Sequence, residues 1–128
     1  HGSTFGGNPL AMAVANANLD VLTSEGFLDN VIRSGDALRA GLREISSRYP
    51  GIITDVRGQG LMIGMVVDPA FTNGQLGDAA RDEGLLTVVA GENVLRMLPP
   101  LIIGESEIAE AVDAMDKACA VLASASDA

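Results

Sequence analysis

Aromatic side chains are nearly missing from this chain, which has three Phe, one Tyr and no Trp in 128 residues. A core without them is aliphatic, so Leu, Ile, Val, Met and Ala must supply the buried area. Cysteine is rarer still. The one copy, Cys119, excludes an intrachain disulfide framework and agrees with a reducing compartment. Positive charge is also scarce: 8 Lys and Arg against 17 Asp and Glu leave a formal net charge of −9. The basic residues are scattered from Arg33 to Lys117 and form no patch, which argues against a protein that tracks a phosphate backbone; no nucleic-acid partner is expected. No run approaches ~18 consecutive apolar residues and no signal-peptide pattern appears, so no membrane partner is expected. With one His and one Cys on distant elements, no metal set is expected either. What remains is an acidic, aliphatic chain long enough for one core, and it reads as soluble and cytoplasmic.

Organisation follows from periodicity and punctuation. Asn8-Pro9 is a strong helix start, because Asn accepts from a first-turn N–H and Pro has no N–H to leave unpaired. The segment runs to about Thr23 and is apolar nearly all round, which predicts burial on several sides. Leu28, Val31, Leu38, Leu42 and Ile45 keep helical spacing in a second segment that Pro50-Gly51 stops. The stretch IITDVRGQGLMIGMVVD (52–68) then reads as two strands, or one bent strand, joined near Gly58-Gln59-Gly60. Thr72 and Gln75 make a capping box for a short helix ending near Gly84. LLTVVAGENVLRMLPP (85–100) reads as a hairpin turning at residues 90–93, and a last helix follows from about Glu105 to Ala123 before a frayed SASDA tail. The order helix, helix, strand, strand, helix, strand, strand, helix predicts an α+β fold, a small and mainly antiparallel sheet covered on one face by helices.

Candidate chemistry divides between sharp and plain readings. Ser3, Thr4, Gly6 and Gly7 ahead of a helix can form an anion site, or merely a turn before a capped helix. RGQGLMIG (57–64) fails as a dinucleotide fingerprint, since the third glycine falls one place late and strand follows it. Arg96 lies inside the apolar strand NVLRMLPP with Val94 and Leu98 on its face; a guanidinium there is either a carboxylate clamp or a salt-bridged edge residue. His1 is a poorly held terminal base. Lys117, between Asp113 and Asp116, reads as an ion-paired surface residue, and Cys119 as core packing.

The opening segment HGSTFGGNPLAMAVANANLDVL (1–22) closely resembles the segment after the catalytic lysine in class III pyridoxal-phosphate-dependent aminotransferases, most of all the bacterial acetylornithine branch. DVRGQGLMIGM (55–65), GENVLRMLPPLII (91–103) and GESEIAEAVDAM (104–115) match in the same order, so the resemblance covers practically the whole chain. It implies the small C-terminal domain of a fold-type-I pyridoxal-phosphate enzyme at 25–128, entered by a long connecting helix, with 1–24 as the end of the large domain's cofactor loop plus that helix. Thr4 would hydrogen-bond the cofactor phosphate across a homodimer interface, Ser3 would lie at the substrate, and Arg96 would clamp the α-carboxylate. The family's Schiff-base lysine precedes His1, so the chain is expected to be a C-terminal fragment, to hold no catalytic residue, and to be inactive alone. The implied reaction passes an amine from N-acetylornithine through pyridoxal 5′-phosphate to 2-oxoglutarate, in arginine biosynthesis. Ornithine, succinyldiaminopimelate or another ω-amine are alternative donors, and a non-catalytic dimerisation domain is the alternative outside enzymology.

Overall fold

In the computed structural model, which describes residues 2–126, the chain falls into two units divided between Asn30 and Val31. The first begins with a turn in which the Gly6 N–H donates to the Ser3 carbonyl at 3.2 Å. Helix α1 (Pro9–Leu22) follows, capped by Asn8, whose Oδ1 accepts from the Ala11 N–H at 2.8 Å. Thr23 closes it by donating both its N–H and its hydroxyl to the Leu19 carbonyl. The helix starts and ends where its capping residues demand, but the predicted burial is not found: no residue of α1 is buried, and Leu10 is 76 % exposed. A helix buries only against an opposing surface, and the described residues of its own unit supply none.

The second unit carries most of helix α2 (Phe27–Arg48), then β1 (Ile53–Gln59), β2 (Met62–Val67), α3 (Asn73–Asp82), β3 (Val88–Ala90), β4 (Val94–Met97) and α4 (Glu105–Ser126). The strands form one antiparallel sheet in the order β1-β2-β4-β3. Alternation along the strands sends Val56, Ile63, Met65, Val67, Leu95 and Met97 into a core with Leu38, Leu42 and Ile45 of α2, Leu76 of α3 and Met115 of α4. The α+β architecture and the element order are those expected from periodicity. The last helix is longer than expected: it continues to Ser126 through residues read as a frayed tail, while residues 127–128 lie outside the described residues.

Two junctions hold the layers in register. At the first, α2 passes so close to the β1–β2 turn that a Cβ on Gly35 would lie 2.3 Å from the Gly60 carbonyl oxygen. Arg39 of the same helix donates to that carbonyl at 3.3 Å, and Ser34 donates its buried hydroxyl to the Ile103 carbonyl at 3.3 Å. Gly58 and Gly60, rejected as a nucleotide fingerprint, therefore serve as a tight turn and a packing point.

The second junction is the β3–β4 turn, where Glu92 and Asn93 both adopt left-handed conformations (φ 58° and 56°). Asn tolerates that region better than most residues, and here its side chain is used on every side. Oδ1 accepts from the Asn73 N–H, the first amide of α3, at 2.7 Å. Nδ2 donates to the carbonyls of Val67 and Phe71, each at 3.0 Å. Asn73 answers by donating its own amide to the Ala90 and Val94 carbonyls at 2.8 and 3.0 Å. The predicted capping box is present alongside, with Thr72 and Gln75 bonded reciprocally.

Replacing Gly35 by Ala sets a gain of ~1 kcal/mol in helix propensity against a backbone clash, and is expected to lower stability by about 1–3 kcal/mol net. Gly51→Ala, where the added methyl meets nothing within 4 Å, is the control expected to stay within about 0.5 kcal/mol. Urea unfolding midpoints of the two variants check this, and equal midpoints would refute the close packing.

Candidate functional site

One face of the sheet carries the helices; the other carries charge. Register places Arg57 of β1 opposite Gly64 of β2, Gly64 opposite Arg96 of β4, and Arg96 opposite Val88 of β3. Directly paired residues share a face, so one row across the sheet reads arginine, glycine, arginine, valine. The row crosses a hollow of about 580 Å³ whose lining includes Arg57, Met62, Gly64, Val94 and Arg96. Gly64 keeps its floor low, because a Cβ there would press to 2.9 Å from Val94 Cγ1.

Arg96 is not an edge residue. β4 is interior to the sheet, bonded to β2 and β3, and the flanking Leu95 and Met97 are 0 % and 4 % exposed. The backbone under the guanidinium is paired on both sides, with Gly64 of β2 and Val88 of β3. Among the described residues no carboxylate pairs with it, so the salt-bridged reading is not what the structure contains. A half-buried guanidinium on a rigid strand, with its donors unspent, is a receptor for a planar anion. Leu98 does not extend this face as alternation suggested, because the strand ends at Met97 and Leu98 lines a separate cavity with Pro99 and Pro100. Arg57, which no sequence motif singles out, reaches across to Glu92 at 4.0 Å. An exposed pair at that distance stabilises little, and it leaves a second cation beside the hollow. Its signal was its register with Gly64, which no single-strand pattern contains.

Ser3 and Thr4 lie on the exposed turn before α1. The helix N-terminus behind them is already occupied by the Asn8 side chain, so the plain reading of a capped helix holds for its amides. The two hydroxyls make no hydrogen bond among the described residues and remain available as donors. A phosphate dianion needs several donors, so Thr4 fits such a group as one contributor among others.

The model of the aminotransferase class-III family matches residues 1–119. Acetylornithine aminotransferase 1 of Bradyrhizobium diazoefficiens is 48% identical over 124 residues, 97% of this chain and 30% of that protein. The acetylornithine aminotransferase of Synechocystis sp. is 45% identical over 95% of this chain and 29% of its own length. Among solved structures, N-acetylornithine aminotransferase of Stenotrophomonas maltophilia superposes with a TM-score of 0.84 at 42% identity, covering 94% of this chain and 33% of that one. The ornithine aminotransferase of Toxoplasma gondii, which has partial occupancy of PLP at its active site, gives 0.89 at 33% identity over 100% of this chain and 31% of that one. The chain thus spans about a third of the length of the relatives it matches.

The remaining reactive groups lie elsewhere. Lys117, the only lysine, pairs with Asp113 at 2.8 Å. The hydrogen bond and the charge of Asp113 raise its pKa above the ordinary value. It is therefore held protonated, the wrong state for a nucleophilic amine. His1 lies outside the described residues, and among those described no group of three His, Cys, Asp or Glu could hold a metal. No described helix is long and apolar enough to cross a membrane. Cys119 is fully buried, and burial, reinforced by the Asp116 carboxylate, pushes its thiol up to about 12. At about pH 8 only ~10⁻⁴ of it is thiolate, four decades below that value. The folded protein is therefore expected to leave a disulfide reagent unreduced at that pH and to release one equivalent after denaturation. Rapid reaction of the native thiol would contradict its placement in the core.

Proposed function

The chain belongs to the class-III aminotransferases, and from that premise we propose that it forms the carboxyl-terminal portion of a pyridoxal-phosphate enzyme transferring an amino group from N-acetylornithine to 2-oxoglutarate. The observation that carries the reading is Arg96, a half-buried guanidinium on an interior strand with no carboxylate partner among the described residues. Both the amino acid and the oxo acid bring an α-carboxylate that such a fork can hold by two parallel bonds. Because donor and acceptor share that group, one arginine serves both halves of the reaction. The names of the relatives support acetylornithine as donor. Ornithine is the second reading, favoured by the fold likeness to the Toxoplasma gondii enzyme. Arg96 does not separate the two, since both donors carry the same α-carboxylate.

Pyridoxal phosphate, when bound, supplies the electron sink that stabilises charge developing at the substrate's α-carbon. This chain's own part is binding and orientation. Thr4 donates its hydroxyl to the cofactor phosphate, reaching the site of a neighbouring subunit in a homodimer; Ser3 stands beside the substrate. Residues 1–24 contribute that loop and the connecting helix, and residues 25–128 form the small domain. With Lys117 protonated and ion-paired on α4, the lysine that bonds the cofactor is supplied from outside this chain, so the chain alone is inactive. The setting is the cytoplasm and the pathway that of arginine biosynthesis.

In the intact enzyme, Arg96→Ala is expected to raise KM for both substrates roughly 10- to 100-fold, the effect of losing charge-assisted hydrogen bonds of about 1.5–3 kcal/mol. Steady-state kinetics with each substrate varied in turn would measure it; two unchanged KM values would remove Arg96 from carboxylate binding. Thr4→Val is expected to weaken cofactor retention about five- to tenfold, one neutral donor's share. Equilibrium dialysis against pyridoxal phosphate reads this directly, and an unaltered dissociation constant would dismiss the phosphate contact.

A further inference from the structure

The hydrogen-bond geometry points to a residue that acts through Arg96: we propose that Asn93, supported by Asn73, is the positioning residue that sets where Arg96 stands on the sheet. The inference rests on the carboxylate role of Arg96 given above.

β4 pairs with β2 over only four residues, from Val94 opposite Val66 to Met97 opposite Ile63. Side chains alternate with period two, so the burial of Leu95 and Met97 forbids a slip of one residue, which would turn Arg96 into the core. The same alternation tolerates a slip of two. Leu95 and Met97 would still face inward, but Arg96 would move about 7 Å along the strand. It would then stand opposite Met62 or Val66, away from Gly64, the position whose missing Cβ leaves the hollow open. Hydrophobic burial therefore settles which way Arg96 faces without settling where along the strand it sits.

Asn93 supplies the missing constraint. It immediately precedes Val94, and its carbonyl accepts from the Val67 N–H at 3.0 Å while its side chain donates to the Val67 carbonyl at 3.0 Å. That fixes the start of β4 against the last residue of β2. The bond from the Asn73 N–H at 2.7 Å ties the same point to the N-terminus of α3. Asn73 then grips both ends of the turn through the Ala90 and Val94 carbonyls. A two-residue slip would break all of these bonds at once, leaving partly buried amides unpaired. Smaller displacements are resisted in the same way, and they matter because a guanidinium fork holds a carboxylate by two parallel bonds only when it is correctly placed.

The test is a double-mutant cycle in the intact, cofactor-loaded enzyme. Asn93→Gly keeps the left-handed backbone accessible and deletes only the side-chain bonds. It is expected to raise KM for the amino acid and the oxo acid about tenfold, with kcat within about twofold and the cofactor dissociation constant unchanged. In an Arg96→Ala background the same change is expected to alter KM less than about twofold, because the group it positions is gone. A general loosening of the fold would instead act equally in both backgrounds. Asn73→Ala, which keeps its backbone N–H for Asn93, should show the same non-additivity at smaller size, and it carries the test if Asn93→Gly fails to fold. Raised KM in Arg96→Ala with additive asparagine effects, or with no asparagine effect, would overturn this inference alone. Unchanged KM in Arg96→Ala would overturn the carboxylate role and this inference with it.

Discussion

The bonds that Asn93 makes from its left-handed turn, to Val67, to Phe71 and to the first amide of α3, join the end of one strand, the start of another and the head of a helix at a single point. The second unit's working geometry depends on that point. A four-residue strand has too few ladder bonds to place itself, and the sheet's edge strand β3 is shorter still. Left-handed backbone at two successive non-glycine residues is uphill. It persists because the side chain satisfies carbonyls and an amide that would otherwise be lost to solvent or buried unpaired.

From that anchorage the chemistry of the open face follows. The core side of β4 is sealed by Leu95 and Met97, which hold the strand against the helices. Arg96, between them in sequence, is therefore raised on the opposite face with little freedom below the side chain. Gly64 beside it removes the one methyl that would fill the hollow, and Arg57 on the far side adds positive potential. In a chain of net charge −9, two guanidiniums around one depression concentrate scarce positive charge at one place on the open face of the sheet.

The first unit shows a different division of labour. Its helix is well made as a helix, capped at both ends by its own side chains, yet none of the described residues of the first unit covers its apolar surface. Its hydroxyl-bearing turn offers donors without a closed site. The relatives that the chain matches are about three times its length. Local capping decides that α1 exists; burial belongs to contacts the unit itself does not contain.

Much of the fold was legible from residues alone, because its signals are local. Asn8-Pro9 and Thr72–Gln75 announce helix starts, a change from helical to alternating spacing marks the strands, and Gly58 and Gly60 mark a turn. Arg96 was conspicuous as a charge in an apolar strand, and family motifs attached roles to it, to Ser3 and to Thr4. The sequence by itself determined the element order, the aliphatic core and which face of β4 each side chain takes, since these follow from composition and periodicity along one segment. Only the tertiary structure decided that β4 is interior, that Arg57 and Arg96 flank the same glycine, and that a turn asparagine reaches three other segments. Those facts depend on strand order and on pairings between separate segments, some of them 20 or more residues apart, which no repeat within a single segment encodes.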